Sequence, residues 1–396
     1  MVNDMTPLEL KQSAQEVLEE NILAYWLRLR DKKRGGFYGQ VTGDEVLVPE
    51  APRGAILNAR ILWSFAAAYR VLKTKDERQK TKEYFEAAQE ARRYIESHLI
   101  DKEHGGCYWS VTAEGEALDT HKQFYAQAFM LYAFSEYIRA TGDESARPIA
   151  ESFFRVLEQY GRDRQYGGYV EAASRKWQPL TDMRLSDKDE NTVKSQNTNL
   201  HVLEAYTNYY RISPTAEVRE ALLSLIQTMQ TKVILPSGHL GLFFDEQWQP
   251  TGAKFSAGHD IECSWLLKEA ADVLGIDCDE TVRQLAQAAQ EDLHDDGSIG
   301  ERSWWEEAEA VVGFVNMWKL ESRKAKVKSQ KPEMYWRLAE RTYGYILDKL
   351  IDKEHGEWFW EILPDGTPNR KEDKAGFWKC PYHNSRMCFE LIERLG

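Results

Sequence analysis

The chain writes one unit six times: an apolar helix, a short loop rich in Gly and aromatic residues, then a second helix whose first turns carry polar side chains. The six loops are Asp31–Val41, Asp101–Val111, Asp163–Gln178, Pro236–Gln249, Asp295–Glu301 and Asp352–Thr367. Their period, roughly 65 residues, accommodates one helical hairpin with its loop, and a hairpin that cannot bury its apolar face alone must stack on its neighbours. Six hairpins close naturally into a ring. No linker-like run of Pro, Gly or Ser interrupts them, so residues 1–396 read as one closed catalytic domain, although a chain of that length commonly holds two or three.

Apolar spacing at 3.6 residues predicts helices over Leu8–Leu29, Ala55–Leu72, Glu77–His98, Phe124–Ala140, Arg147–Tyr160, Thr198–Arg211, Ala216–Lys232, Ile261–Leu274, Glu280–Leu293, Trp304–Leu320, Pro332–Lys349 and Asn384–Leu395. The even-numbered ones are rich in small and apolar residues, whereas the odd ones carry charged stripes such as YFEAAQEARRYIESH. Helices buried on most sides read the first way and solvent-facing ones the second. The even helices therefore form the inner ring of an all-α (α/α)6 barrel. Its central funnel is closed by packing at one end and lined at the other by the starts of the inner helices.

Composition narrows the partners. A net charge of −13, from 64 acidic and 51 basic residues, argues against nucleic acid and against an anionic membrane. The N-terminal residues lack a secretory signal and no apolar run approaches a membrane span, so a cytoplasmic protein is expected, as a monomer with a dimer as the alternative. Five scattered cysteines read as reduced thiols, and Cys380, His383 and Cys388 are too few ligands to make a convincing zinc site. No metal or other cofactor is expected. The heavy aromatic load, much of it in the loops, suits the apolar faces of sugar rings around a cavity.

At the starts of the inner helices stand Arg60, Tyr125, Asn197, His201, His259, Glu262, Trp304, Trp305 and His383. His201, His259 and His383 are expected at equivalent repeat positions, which sets them apart from the other six histidines. The three-residue spacing of His259 and Glu262 suggests that the carboxylate orients that imidazole. Asn197 and His201 lie one turn apart, able to grip adjacent hydroxyls, and Trp378 precedes His383 as an aromatic wall. Arg60, in an otherwise apolar helix where an unpaired charge is costly, is expected to face the cavity and bind an oxygen or a carboxylate, the alternative being a buried ion pair. Histidines without a nucleophile elbow, a phosphate loop or a dinucleotide fingerprint point to proton transfer. Two imidazoles on opposite faces of a carbon next to a carbonyl could invert it.

The segments Leu57–Trp63, Asn197–Asn208, Gly258–Leu267, Trp304–Phe314 and Gly376–Arg386 resemble the N-acylglucosamine 2-epimerase family, and within it the members that act on cellobiose. The resemblance implies an (α/α)6 barrel that opens the reducing-end sugar, takes the C2 proton to form a cis-enediolate, rotates C2–C3 and returns a proton to the other face. It implies His259 and His383 as the acid/base pair, Glu262 as partner of His259, and His201 as an aid to ring opening. Arg60, Tyr125 and Asn197 would hold sugar oxygens. Trp378 and one of Trp304 or Trp305 would bind the rings, and Glu309 is placed with the substrate-binding residues. Asn199 stands where the family often has His, and its side chain is expected to face away from the pocket. The expected substrates are β-1,4-linked disaccharides, with free monosaccharides as the rival and glycoside hydrolysis by Glu262 and Glu309 as a more distant one.

Overall fold

The structure is a computed structural model that describes residues 5–73, 78–324 and 331–396. Glu77, the expected start of the third helix, lies outside them. We number the helices α1 (7–28), α2 (Ala55–Val71), α3 (78–99), α4 (Phe124–Thr141), α5 (147–161), α6 (Gln196–Ile212), α7 (216–233), α8 (Ala257–Leu274), α9 (279–292), α10 (Trp304–Lys324), α11 (331–350) and α12 (Tyr382–Arg394). Each even helix packs on the next, and α12 returns to α2, so the inner ring closes into an (α/α)6 barrel. Among the described residues no helix is long and apolar enough to cross a membrane.

The outer helices bury one stripe and the inner ones nearly everything. In α1 the buried residues Leu10, Ala14, Leu18 and Ile22 recur every four positions, whereas α2 is buried continuously from Ala55 to Ala68. Four outer helices end in a widened π turn, with N–H groups reaching back five residues: Ile100 to Ile95, Arg162 to Leu157, Ile234 to Met229 and Ile351 to Ile346. The chain then enters a loop opened by aspartate. Asp31 accepts from the Lys33 and Arg34 amides, and a buried cation on the return strand pins it: Arg53 on Asp31, Lys122 on Asp101 at 2.9 Å, Lys194 on Asp163 at 2.6 Å and Lys374 on Asp352 at 2.7 Å. The turn needs glycine, because Gly36 has φ +64 and a Cβ there would meet the Tyr94 ring at 2.6 Å.

Short strands absent from the sequence reading lash neighbouring hairpins together. β1 (Arg53–Gly54), β2 (Ser110–Val111) and β3 (Ala117–Asp119) form one antiparallel sheet, β4 (Lys122–Gln123) pairs with β5 (Ala172–Ala173), and β6 (Lys194–Ser195) pairs with β7 (Phe243–Phe244). As a result the first N–H of an inner helix donates to the next hairpin's loop: Ala55 to Trp109, Phe124 to Glu171, Gln196 to Leu242 and Trp304 to Trp360. These bonds satisfy helix N-termini that would otherwise lack partners. Before α8 the belt lapses. Residues 251–255 are exposed there, and among the described residues Ala257 makes no such bond.

Candidate active site

Helix periodicity assigns a job to each position in the first two turns of an inner helix. At 3.6 residues per turn the second and sixth residues lie within about 40° of each other, and the fourth points to the other side. The fourth residues hold their own hairpin's loop: Gln127 accepts from the Cys107 amide at 2.8 Å, Asn199 from Tyr169 at 2.8 Å, Asp260 from Leu240 at 2.8 Å and Glu307 from Ile299 at 2.9 Å. The second and sixth residues face the axis, among them Tyr125, Asn197, Trp305, His383, Arg60, His201 and Glu262. His201 is sixth in α6, His259 third in α8 and His383 second in α12, so the three histidines do not occupy equivalent repeat positions.

These side chains line one cavity of ≈ 440 Å³, within the usual range for a small-molecule site. Arg60, Tyr125, Asn197, His201, His259, Glu262, Trp304, Trp305, Trp378 and His383 all contribute. Trp305 touches two imidazoles, with ring centroids 4.7 Å from His259 and 5.8 Å from His383. The Arg60 guanidinium donates to the Tyr125 hydroxyl at 2.8 Å and lies 4.4 Å and 4.6 Å from the Phe129 and Tyr382 ring centroids. It has no carboxylate partner among the described residues, although it is only 3 % exposed. An unpaired buried cation facing a cavity is costly unless an anion or a developing oxyanion fills it.

His201 donates Nδ1–H to Glu204 at 2.9 Å, and His383 donates Nδ1–H to Glu309 at 2.6 Å. Those bonds set the tautomer and leave each Nε2 lone pair free. Burial holds His201 down to about 4, and burial together with Arg60 and Arg386 holds His383 well below the usual imidazole range. His259 is lowered in the same direction by burial and by His201, and its Nδ1 has no hydrogen-bond partner. All three imidazoles are therefore neutral at pH 7.

Two expectations about carboxylates are corrected. Glu262 does not orient His259; it accepts from Arg386 at 2.5 Å, because a buried guanidinium attracts a carboxylate more strongly than a neutral imidazole does. Glu309 does not line the cavity. It stands behind His383, where it also accepts from Arg386 at 2.6 Å and from the Trp265 indole at 2.9 Å. Burial and the neighbouring Glu309 raise Glu262 above the ordinary carboxylate range, and its Oε2 has no partner. Glu262, Glu309 and His383 also place ligand atoms within 4.8 Å of one another, but the fixed charge of Arg386 already lies on both carboxylates. Cys380, His383 and Cys388 form no metal-ligand group among the described residues.

The N-acylglucosamine 2-epimerase (GlcNAc 2-epimerase) family model matches residues 35–386. The chain belongs to this family. A cellobiose 2-epimerase of Bacteroides fragilis is 44 % identical over 97 % of this chain and 98 % of its own, and one of Ruminococcus albus is 36 % identical over 96 % and 97 %. The solved cellobiose 2-epimerase of Bacillus thermoamylovorans superposes with a TM-score of 0.89, at 35 % identity, over 97 % of this chain and 99 % of that one.

In this member of the N-acylglucosamine 2-epimerase family Asn199 is buried, and besides the Tyr169 amide it bonds the Tyr169 and Ser195 carbonyls. It belongs to the loop-holding set and does not line the cavity, as expected. The sequence reading missed Glu204, Tyr382 and Arg386 beneath the cavity, and Trp360, Glu372 and the stretch Leu185–Asp189 at its mouth. Glu204 had a signal, since it stands three after His201, the spacing assigned instead to His259 and Glu262. The mouth stretch had none.

Proposed function

We propose that this protein interconverts the C2 epimers of the reducing-end sugar of β-1,4-linked disaccharides, cellobiose to glucosylmannose and lactose to epilactose. The observation that carries the reading is the pair His259 and His383, two neutral imidazoles on one cavity, both packed on Trp305. In the open-chain sugar one imidazole takes the proton from C2. The resulting cis-enediolate places negative charge on O1 and O2, where Arg60 and the Tyr125 hydroxyl supply a cation and a donor. After rotation about C2–C3 the other imidazole, having taken a proton from solvent, delivers it to the opposite face, and the first releases the C2 proton to solvent. His201 and Asn197 are suited to moving the ring-oxygen proton and holding hydroxyls, and the indoles of Trp305 and Trp378 to packing on sugar rings.

Full-length relatives named cellobiose 2-epimerase support the disaccharide. A hydrolase needs two carboxylates flanking the scissile bond. Glu262 and Glu309 instead converge on one guanidinium, with Glu309 behind His383. Proton NMR of the purified protein with cellobiose in D₂O, beside lactose, mannose and glucose, tests the reading. The expected result is the mannose-containing epimer with deuterium at C2. Reaction confined to the monosaccharides moves the activity to free sugars, and release of glucose from cellobiose replaces epimerisation with hydrolysis.

A further inference from the structure

Beneath the cavity floor one guanidinium joins two histidines that do not touch each other. Arg386, 1 % exposed, holds Glu204 with Nη1 and both Glu262 and Glu309 with Nη2. Glu204 in turn accepts from Nδ1 of His201 at 2.9 Å, and Glu309 from Nδ1 of His383 at 2.6 Å. Tyr382 donates to Glu204 and receives Arg386, which completes the floor. The path His201–Glu204–Arg386–Glu309–His383 is unbroken and buried throughout, and it crosses from α6 through α12 to α10 and back to α12.

We propose that Arg386 is a positioning residue that fixes both imidazoles together, each with Nδ1–H on its carboxylate and Nε2 open to the cavity. The physical basis is competition for one cation. Three carboxylates share a single guanidinium, so weakening one arm tightens the others and changes how strongly the remaining carboxylate grips its imidazole. Such an arrangement ties the ring-opening side of the cavity to the proton-transfer side without contact between them. This inference rests on the epimerase reading of the cavity, but its test needs no turnover, so the two fail separately.

The experiment is nitrogen NMR of the full chain labelled with ¹⁵N-histidine, which reads each imidazole's tautomer, in the wild type and in Glu204→Gln and Glu309→Gln. The expected wild-type result is Nδ1–H for both His201 and His383. Each variant is expected to change the signals of both histidines, the near one and the one across the bridge. An Nε2–H tautomer at either histidine in the wild type, or changes confined to the near one in both variants, overturns the proposal. In kinetics, each variant is expected to lower kcat by roughly 10²-fold with KM little altered. The double variant is expected to lose less than the product of the two losses, whereas strictly multiplicative losses count against a shared bridge. The side-chain amides preserve shape, so the test does not depend on Arg386 variants folding.

Discussion

Two parts of the inner ring hold histidine in opposite ways. On α6 and α12, which stand opposite each other in the ring, His201 and His383 are each backed by a carboxylate, tied through Arg386 into a buried network, and set in helices whose hairpins are laced to their neighbours. On α8 His259 has no partner on Nδ1, leans on Trp305, and begins a helix that the belt leaves out. The cause of the difference is local. In α8 the second position, from which Asn197 and His383 face the cavity, is Gly258, and a Cβ there would lie 2.5 Å from Glu306 and 2.7 Å from the Trp305 ring. The imidazole stands one residue on, and the carboxylate three positions after it, Glu262, is taken by Arg386. One side chain type thus serves as an anchored group on α6 and α12 and as a group held only by packing on α8.

The largest expected effect falls on both kinds of histidine alike. His259→Ala and His383→Ala should each lower turnover by roughly 10²–10⁴-fold with the fold intact, measured as C2 deuteration of cellobiose and by circular dichroism. Near-normal exchange in either variant removes that histidine from the chemistry.

The two buried arginines separate function from support. Arg60→Met should lower turnover by roughly 10²-fold, as for loss of one oxyanion donor. It should leave thermal stability unchanged or raised, because the cation it removes has no carboxylate to abandon. Arg386→Met should instead cost about 3–5 kcal/mol, because it strands Glu204, Glu262 and Glu309. Urea denaturation beside kinetics distinguishes them, and equal destabilisation by both would erase the contrast.

Gly258→Ala probes the unlaced helix, and overpacking there should cost about 1–3 kcal/mol. The Trp305 ring must shift, so binding of the sugar should weaken more than in a control substitution on an outer helix, as read by KM. Full retention of both stability and KM would mean that this helix yields freely.

The smallest effect is a slope. His201 titrates near 6.5 when unfolded and is held down to about 4 in the fold. Between those values the unfolded chain binds a proton that the folded chain refuses. Its contribution to stability is thus complete above about pH 6.5 and is lost as pH falls toward 4, by at most about 1.4 kcal/mol per pH unit. His201→Phe should flatten that part of the stability curve, as followed by urea midpoints across the interval. An unchanged slope would show that His201 is not held neutral.

Periodicity in the sequence was enough to determine the ring. Twelve helices were legible because each alternates between one buried stripe and burial all round, and the ends of most agreed closely with the structure. The aspartates that open the loops and the polar residues at inner-helix starts were legible for the same reason, since one unit repeats and departures from apolar patterning stand out. Only the tertiary structure decided what stands behind those residues. Glu309 passes from cavity lining to support, Glu262 turns from His259 to Arg386, and Glu204 reaches Arg386 across 182 positions of sequence. The physical reason is that helical spacing tells which side chains share a face of one helix, whereas the partner of a buried charge is whichever opposite charge the closed ring brings nearest.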